Sequence, residues 1–258
     1  MVVVAVALSG CARPGQPDGD RVAEWIDAQD WVRSASASVN DDPWSPGISL
    51  TMEVDSAIPD DELYALAAAS DRRAHDAGWS AATLTWELGD GRSFSNLGGG
   101  ATLKVFLGMR NESRYLVASA RGSGDCGPLF CVTIADSDPA ALHAEVEHLL
   151  ELADEAGGVQ TNLDFDATSR DGRFVVTAQP DASSKASVDL LEQIMAAVPV
   201  ETGRAWVVQP VGDIPAAPML DLVVPDEAAK AAAEQIAATQ SVVEVEVDVD
   251  VADPAAAP

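Results

Sequence analysis

The feature that most constrains the fold of this chain is a pattern of helices and strands that the sequence predicts three times over. Each occurrence begins with three apolar residues at the helical spacing i, i+3, i+4. These triples are Val22/Trp25/Ile26, Leu103/Phe106/Leu107 and Leu191/Ile194/Met195. A helix with such a stripe packs its apolar side on a neighbouring element. We therefore expect the middle residues, Trp25, Phe106 and Ile194, to be buried between helix and sheet.

After each triple the sequence predicts two strands. An aromatic residue followed by an aliphatic one opens the first strand, and a loop rich in Gly, Pro and Asp separates it from the second. The aromatic-aliphatic steps are Trp31-Val32, Tyr115-Leu116 and Trp206-Val207. The second strands are predicted at residues 48–54, 129–135 and 219–224.

A second helix follows in each segment, and proline and carboxylates mark its start, where they suit the first helical turn. These starts are Pro59-Asp60, Asp138-Pro139 and Pro225-Asp226. Gly78 and Gly157 are predicted to end the first two of these helices, because glycine adopts the left-handed backbone found there. Alternating residues then predict a further strand, and Asp90-Gly91-Arg92 and Asp171-Gly172-Arg173 predict tight hairpin turns.

The repeated order is therefore helix, strand, strand, helix, strand, strand, over roughly eighty to ninety residues, the size of a small domain. When the order is counted from Ile48 it becomes β-α-β-β-α-β, which is the split ferredoxin-like arrangement. We expect an α+β fold of two layers, in which tandem ferredoxin-like repeats carry their helices on one face of antiparallel sheets.

The first residues carry a different kind of signal. A short apolar run at residues 2–7 leads into Leu8-Ser9-Gly10-Cys11. The run is too short to span a bilayer but suits the apolar region of a cleaved signal peptide. The segment resembles the lipobox of bacterial lipoproteins, over about the first dozen residues. The resemblance implies a lipidated Cys11 that becomes the mature N-terminus and holds the protein at the extracytoplasmic face of the cell membrane.

Together these patterns predict the organisation of the chain. Residues 1–10 are expected to be a signal peptide and residues 11–19 a lipidated tether rich in Pro and Gly. Three repeat regions are expected at residues 20–120, 121–210 and 211–251, of which the third is partial. Residues 252–258 form a Pro/Ala tail.

Two cysteines remain after Cys11, and they lie close together at Cys126 and Cys131. In an oxidising compartment an even number of cysteines at short spacing indicates a disulfide. A zinc site would need two further ligands nearby, and a redox pair would more often have the spacing Cys-x-x-Cys. Two free thiols are the remaining alternative.

The acidic composition limits the partners. The formal net charge is −27, and such a surface repels nucleic acid and anionic lipid headgroups. We therefore expect no nucleic-acid partner, and attachment to the membrane through the lipid on Cys11 and not through charge.

No motif in the sequence points to catalysis. His143 and His148 are five residues apart, so they point to different faces of a helix and do not form a zinc pair. With His75 they are expected to be exposed surface residues. The carboxylates of Glu244, Glu246, Asp248 and Asp250 alternate along a predicted strand, where charge protects an exposed edge. We predict no catalytic residue, no metal ligand and no cofactor.

Two functions are compatible with these patterns. The first is a non-enzymatic, membrane-anchored envelope lipoprotein whose repeats bind an envelope protein, a glycan or a small ligand. The alternative is an envelope hydrolase whose carboxylates converge from different repeats. A pair of converging carboxylates with a perturbed pKa in one deep pocket would favour the hydrolase.

Overall fold

The structure is a computed structural model that describes residues 15–40, 47–97, 100–121, 130–159, 163–208, 217–240 and 245–253. The chain divides into two compact units. The first consists of Met1–Gly89 and Ser93–Gly99, and the second of Asp90–Arg92 and Gly100–Pro258.

Helices and strands alternate regularly along the described residues. The first six elements are α1 (Gln16–Asp27), β1 (Val32–Asn40), β2 (Gly47–Val54), α2 (Asp60–Asp76), β3 (Ala82–Gly89) and β4 (Arg92–Ser95). The next six are α3 (Ala101–Arg110), β5 (Tyr115–Ala120), β6 (Phe130–Ile134), α4 (Pro139–Glu155), β7 (Phe165–Ser169) and β8 (Phe174–Ala178). The last five are α5 (Lys185–Met195), β9 (Thr202–Val208), β10 (Ala217–Val224), α6 (Glu227–Ala237) and β11 (Glu246–Val251). This order matches the one that the sequence predicts. Within the described ranges, no helix has both the length and the apolar content needed to cross a membrane.

The predicted helix boundaries agree with the structure at several ends. Asp138 caps α4 by accepting a hydrogen bond from the Ala140 amide, and Asp226 caps α6 through the Ala229 amide. Gly78 and Gly157 follow the last residues of α2 and α4 with φ angles of 93° and 105°. The local signals for starting and ending a helix were therefore read correctly.

The first helix begins earlier than expected. Helix α1 starts at Gln16, inside the range 11–19 that was predicted to be a tether, and residues 11–14 lie outside the described residues. Gly19 explains the difference, because a Cβ atom there would lie only 2.9 Å from Cγ2 of Val39. The helix thus packs closely on β1, and glycine at this position serves packing and not flexibility.

The strands pair in sequential order within each unit. In the first unit the order is β1-β2-β3-β4, and β2 pairs in parallel with β3. In the second unit the order runs from β5 to β11, and parallel pairs (β6/β7, β8/β9 and β10/β11) alternate with antiparallel ones. Each parallel pair is joined by a helix, which returns the chain to the end of the sheet at which the first strand of the pair began.

The finer expectation of tandem ferredoxin-like repeats on antiparallel sheets is not confirmed. In the ferredoxin-like arrangement the two strands joined by a helix leave room for another strand between them. Here β6 and β7 are hydrogen-bonded neighbours, with Phe130 opposite Phe165 and Ile134 opposite Ser169. The sheets are mixed, and the coarser description, helices and strands in an α+β arrangement, is the one that the structure supports.

Each unit has a helix layer and a strand layer. In the first unit α1 packs against α2, and in the second α4 lies between α3 and α5. Residues of β2 that face the helices, such as Leu50 and Met52, are completely buried, whereas Ser49 and Thr51 on the other face are exposed. The helices therefore cover one face of β2, as the alternation of its residues predicts.

The three residues expected to be buried behave differently. Phe106 and Ile194 are completely buried, but Trp25 is only half-buried. The predicted strand starts also differ, because β5 begins at Tyr115 whereas β9 begins at Thr202, four residues before Trp206. Trp31 lies immediately before β1 and remains 38% exposed.

The two Asp-Gly-Arg triplets have a role that the turn prediction did not include. The Arg92 guanidinium donates to five backbone oxygens at 2.8–3.3 Å, those of Asp90, Arg110, Glu112, Tyr115 and Leu116. Four of these oxygens lie between the last residue of α3 and the first two residues of β5. The Arg173 guanidinium likewise donates to backbone oxygens directly before β9, those of Val200 and Glu201 at 2.6 and 2.7 Å.

We predict that Arg92→Lys destabilises the protein by about 2–3 kcal/mol, because an ammonium group cannot reproduce the fork and leaves carbonyl oxygens unsatisfied. The measurement is urea unfolding, combined with amide exchange of residues 111–116, which should become faster. Arg72→Lys, an exposed site on α2, is the control and should change stability by no more than about 0.5 kcal/mol. Equal stability of the two variants would contradict the role assigned to Arg92.

Candidate functional site

A pocket of about 470 Å³ lies in the first unit, between the end of α1 and the start of α2. Its walls include the indole rings of Trp25 and Trp31, and its apolar lining includes Ile58 and Leu66. Carboxylates also line it, those of Asp30, Asp61 and Glu62. Pockets of this size that combine apolar walls with a few polar groups are typical of small-molecule sites.

Trp31 is held in an unusual conformation at the edge of this pocket. Its φ angle is +71°, a left-handed backbone that a bulky residue adopts only at a cost of about 1–3 kcal/mol. Its indole N–H donates to Oε2 of Glu62 at 3.0 Å, which fixes the orientation of the ring. The side chain is nevertheless 38% exposed, so the strain is not compensated by full burial of the indole. Backbone strain of this kind is concentrated at functional sites.

Asp55 joins the two sides of the pocket. Its amide donates to the Trp31 carbonyl oxygen at 2.8 Å, next to the aromatic wall. Its carboxylate accepts from the Ala57 amide at 2.9 Å and from Arg33 at 3.0 Å, and these two interactions, the Ala57 amide first, lower the pKa of Asp55 below its ordinary value. The Asp55 carbonyl oxygen accepts from the Ile58 amide, so the loop that carries Ile58 into the pocket is fixed as well.

The charge that lines the pocket is of one sign. The three charged lining residues, Asp30, Asp61 and Glu62, are all exposed carboxylates. Arg73 of α2 does not belong to the lining, but its guanidinium carbon lies 5.7 Å from the centroid of the Trp25 ring. That distance is within the range of a cation–π interaction, so the Trp25 ring already accepts one cation.

The sequence interpretation missed this pocket. The helical spacing predicts that Trp25 lies in the core, and the aromatic-aliphatic step predicts that Trp31 opens a strand. One signal was available, since two tryptophans separated by a short segment flank the end of a helix. The left-handed backbone of Trp31, however, has no pattern in the sequence.

The residues that the sequence did single out are distributed over the chain. Cys11 and Cys126 lie outside the described residues, and Cys131 is on β6, so the lipid and the disulfide stay predictions. Glu244 also lies outside the described residues. Glu246, Asp248 and Asp250 are exposed on β11, the last strand in the sheet order of the second unit.

Two of the three histidines are less exposed than expected. His75 is exposed, but the side chains of His143 and His148 retain only 12% and 28% of their accessible surface. Burial lowers the pKa of His143. His148 lies 3.4 Å from a carboxylate oxygen of Glu112, which attaches α4 to the chain that follows α3. These contacts tie elements of the second unit together.

Among the described residues of the second unit, one carboxyl group is buried, that of Asp166 on β7. Only 8% of the residue is exposed, and its Oδ1 atom has no hydrogen-bond partner. Burial raises the pKa of Asp166 to about 6, an effect that Thr177 and Arg204 oppose and Asp164 reinforces. The carboxylate of Asp164 accepts a hydrogen bond from Gln179 at 2.6 Å.

We predict that Asp166 makes stability fall as the pH rises. The folded chain disfavours the ionised carboxylate, so its contribution is fully present below the ordinary pKa of 3.8 and is lost as the pH rises through about 6. Asp166→Asn should therefore become more stable relative to the natural protein by about 2–3 kcal/mol between pH 4 and pH 7.5. Urea unfolding at the two pH values measures this change.

Asp181→Asn is the matched control for that experiment, because Asp181 is exposed and loses little hydration on folding. Its stability relative to the natural protein should be nearly the same at both pH values. A pH-independent effect of Asp166→Asn would show that the buried carboxyl does not titrate in this range.

Comparison with known proteins found no match to a family model, to a curated protein or to a solved structure. The function of the chain is therefore inferred from the geometry of its own side chains, and the pocket lined by Trp25 and Trp31 is a candidate binding site among the described residues.

Proposed function

We propose that this protein is a lipid-anchored binding protein of the cell envelope, held at the extracytoplasmic face of the membrane through Cys11. Its globular part captures a ligand in the pocket lined by Trp25 and Trp31 and is not itself an enzyme. A disulfide between Cys126 and Cys131 belongs to the same proposal, because an exported protein folds in an oxidising compartment.

The observation that carries the proposal is the exposed, strained Trp31 at the edge of a pocket. Exposed aromatic side chains supply contact area with little loss of conformational entropy, which suits them to binding. Binding is favoured over hydrolysis because the carboxylates of the lining are all exposed, whereas a carboxyl that acts as a general acid typically lies in a desolvated environment. The buried Asp166 belongs to the second unit and is not part of this pocket.

The anchor is tested by Cys11→Ser. We expect the variant to move from the membrane fraction to the soluble or secreted fraction, because two acyl chains are needed for stable attachment and the serine cannot receive them in the same way. Metabolic labelling with a palmitate analogue should mark the natural protein and not the variant. Label that persists in the variant would rule out Cys11 as the lipidated residue.

The pocket is tested with the soluble Cys11→Ser chain. The purified protein is incubated with a small-molecule extract of the envelope, and compounds that remain bound after gel filtration are identified by mass spectrometry. We expect at least one compound to be retained, and Trp31→Ala to lose it. Trp206→Ala, a tryptophan of the second unit, is the control and should retain it. Retention of the same compounds by Trp31→Ala would contradict binding in the pocket.

A further inference from the structure

We propose that the ligand of the Trp25–Trp31 pocket is a small organic ammonium cation, a specification that rests on the proposed binding function. The proposal combines three observations on the lining, namely its two indole rings, its three carboxylates and its volume.

The indoles provide the first part of the recognition. A tryptophan ring attracts a cation within about 6 Å of its centroid, and the attraction is strongest for indole among the aromatic side chains. Trp25 already shows this behaviour toward Arg73. The Trp31 ring is fixed by its hydrogen bond to Glu62 and is exposed, so an incoming cation finds it oriented before binding. Preorganisation of this kind lowers the entropic cost of binding.

The carboxylates provide the second part. Asp61 and Glu62 lie side by side in the first turn of α2, and Asp30 lies directly before Trp31. Among the described residues no lysine or arginine forms an ion pair with any of the three, so their charge is available to a ligand. The net charge of −27 adds a field that concentrates cations near the surface.

The same lining disfavours other classes of ligand. Among the lining residues an anion would meet only like charge, and a purely apolar molecule would have to lie beside three hydrated carboxylates. A metal ion is disfavoured by the donor set, because in the described part of the chain no group of three or more His, Cys, Asp or Glu is arranged to hold one. An alkylammonium head presents both a charge for the carboxylates and apolar carbon for the rings.

The test compares choline with its neutral isostere, 3,3-dimethylbutan-1-ol, by calorimetric titration of the full chain carrying Cys11→Ser. The two probes have nearly the same shape and differ in charge. We expect choline to bind at least about tenfold more tightly, because both the rings and the carboxylates act on its charge. Its affinity should also fall as the ionic strength is raised.

Two variants separate the contributions. In the double variant Asp61→Asn/Glu62→Gln, two charges are removed while the shape and the acceptor for the Trp31 N–H are kept. Its affinity for choline should fall at least about fivefold. Trp31→Ala should lose at least about tenfold. Asp71→Asn, an exposed carboxylate on α2 outside the pocket lining, is the matched control and should bind choline as the unmodified sequence does. Circular dichroism of each variant confirms that it is folded.

The outcomes distinguish this inference from the proposed function. Equal affinity for choline and the alcohol, or no loss in the double variant, would overturn the cation proposal. The same holds if no choline binding is detected at millimolar concentration. In each of these cases an envelope compound lost specifically by Trp31→Ala would still support a binding protein, of a different ligand. Failure of that retention experiment as well would overturn both.

Discussion

In two places, an arginine side chain holds the connection between a helix and the strand that follows it. Arg92 and Arg173 each follow an Asp-Gly pair, and each directs its guanidinium at carbonyl oxygens of a later helix–strand connection. A helix end leaves its last carbonyl groups without partners, and burial of such groups is costly. Burial also lowers the pKa of Arg92, yet a guanidinium keeps its charge under physiological conditions. Because these carbonyl groups lie directly before or at the start of β5 and β9, the arginines hold the chain where these strands begin.

The order of the elements could be predicted from the sequence because it depends on local signals. A helical stripe, a capping aspartate such as Asp138 or a glycine such as Gly78 acts over a few residues, and the structure agrees with these predictions. The order of the strands could not be predicted in the same way. Two consecutive strands can be direct neighbours in a sheet, or another strand can lie between them. In both cases each strand buries the same alternate residues. The hydrophobic pattern of β6 and β7 is therefore equally compatible with the ferredoxin-like and the sequential arrangement.

The pocket was less predictable than the fold, and its residues show why. Trp25 has the helical spacing of a core residue. In the structure it is half-buried, on the helix α1 that packs against α2. Trp31 was expected to open a strand, but its backbone is left-handed, and β1 begins only at the next residue. Asp55 fixes the loop before α2 through its carboxylate, which accepts from the Ala57 amide, and its carbonyl oxygen, which accepts from the Ile58 amide. No sequence pattern indicates these hydrogen bonds. A site built from a turn conformation and a loop contact becomes visible only in three dimensions.

The charged last strand of the second unit bears on how neighbouring copies behave. Glu246, Asp248 and Asp250 are exposed on β11, whose outer backbone groups could otherwise template pairing with another chain. For molecules tethered in one plane, as proposed for this protein, encounters are frequent and orientations are restricted. Mutual repulsion of these carboxylates then acts as a spacer whose reach is the Debye length, about 8 Å at physiological ionic strength. The highest surface density at which such molecules remain separate would therefore depend on the ionic strength as well as on the fold.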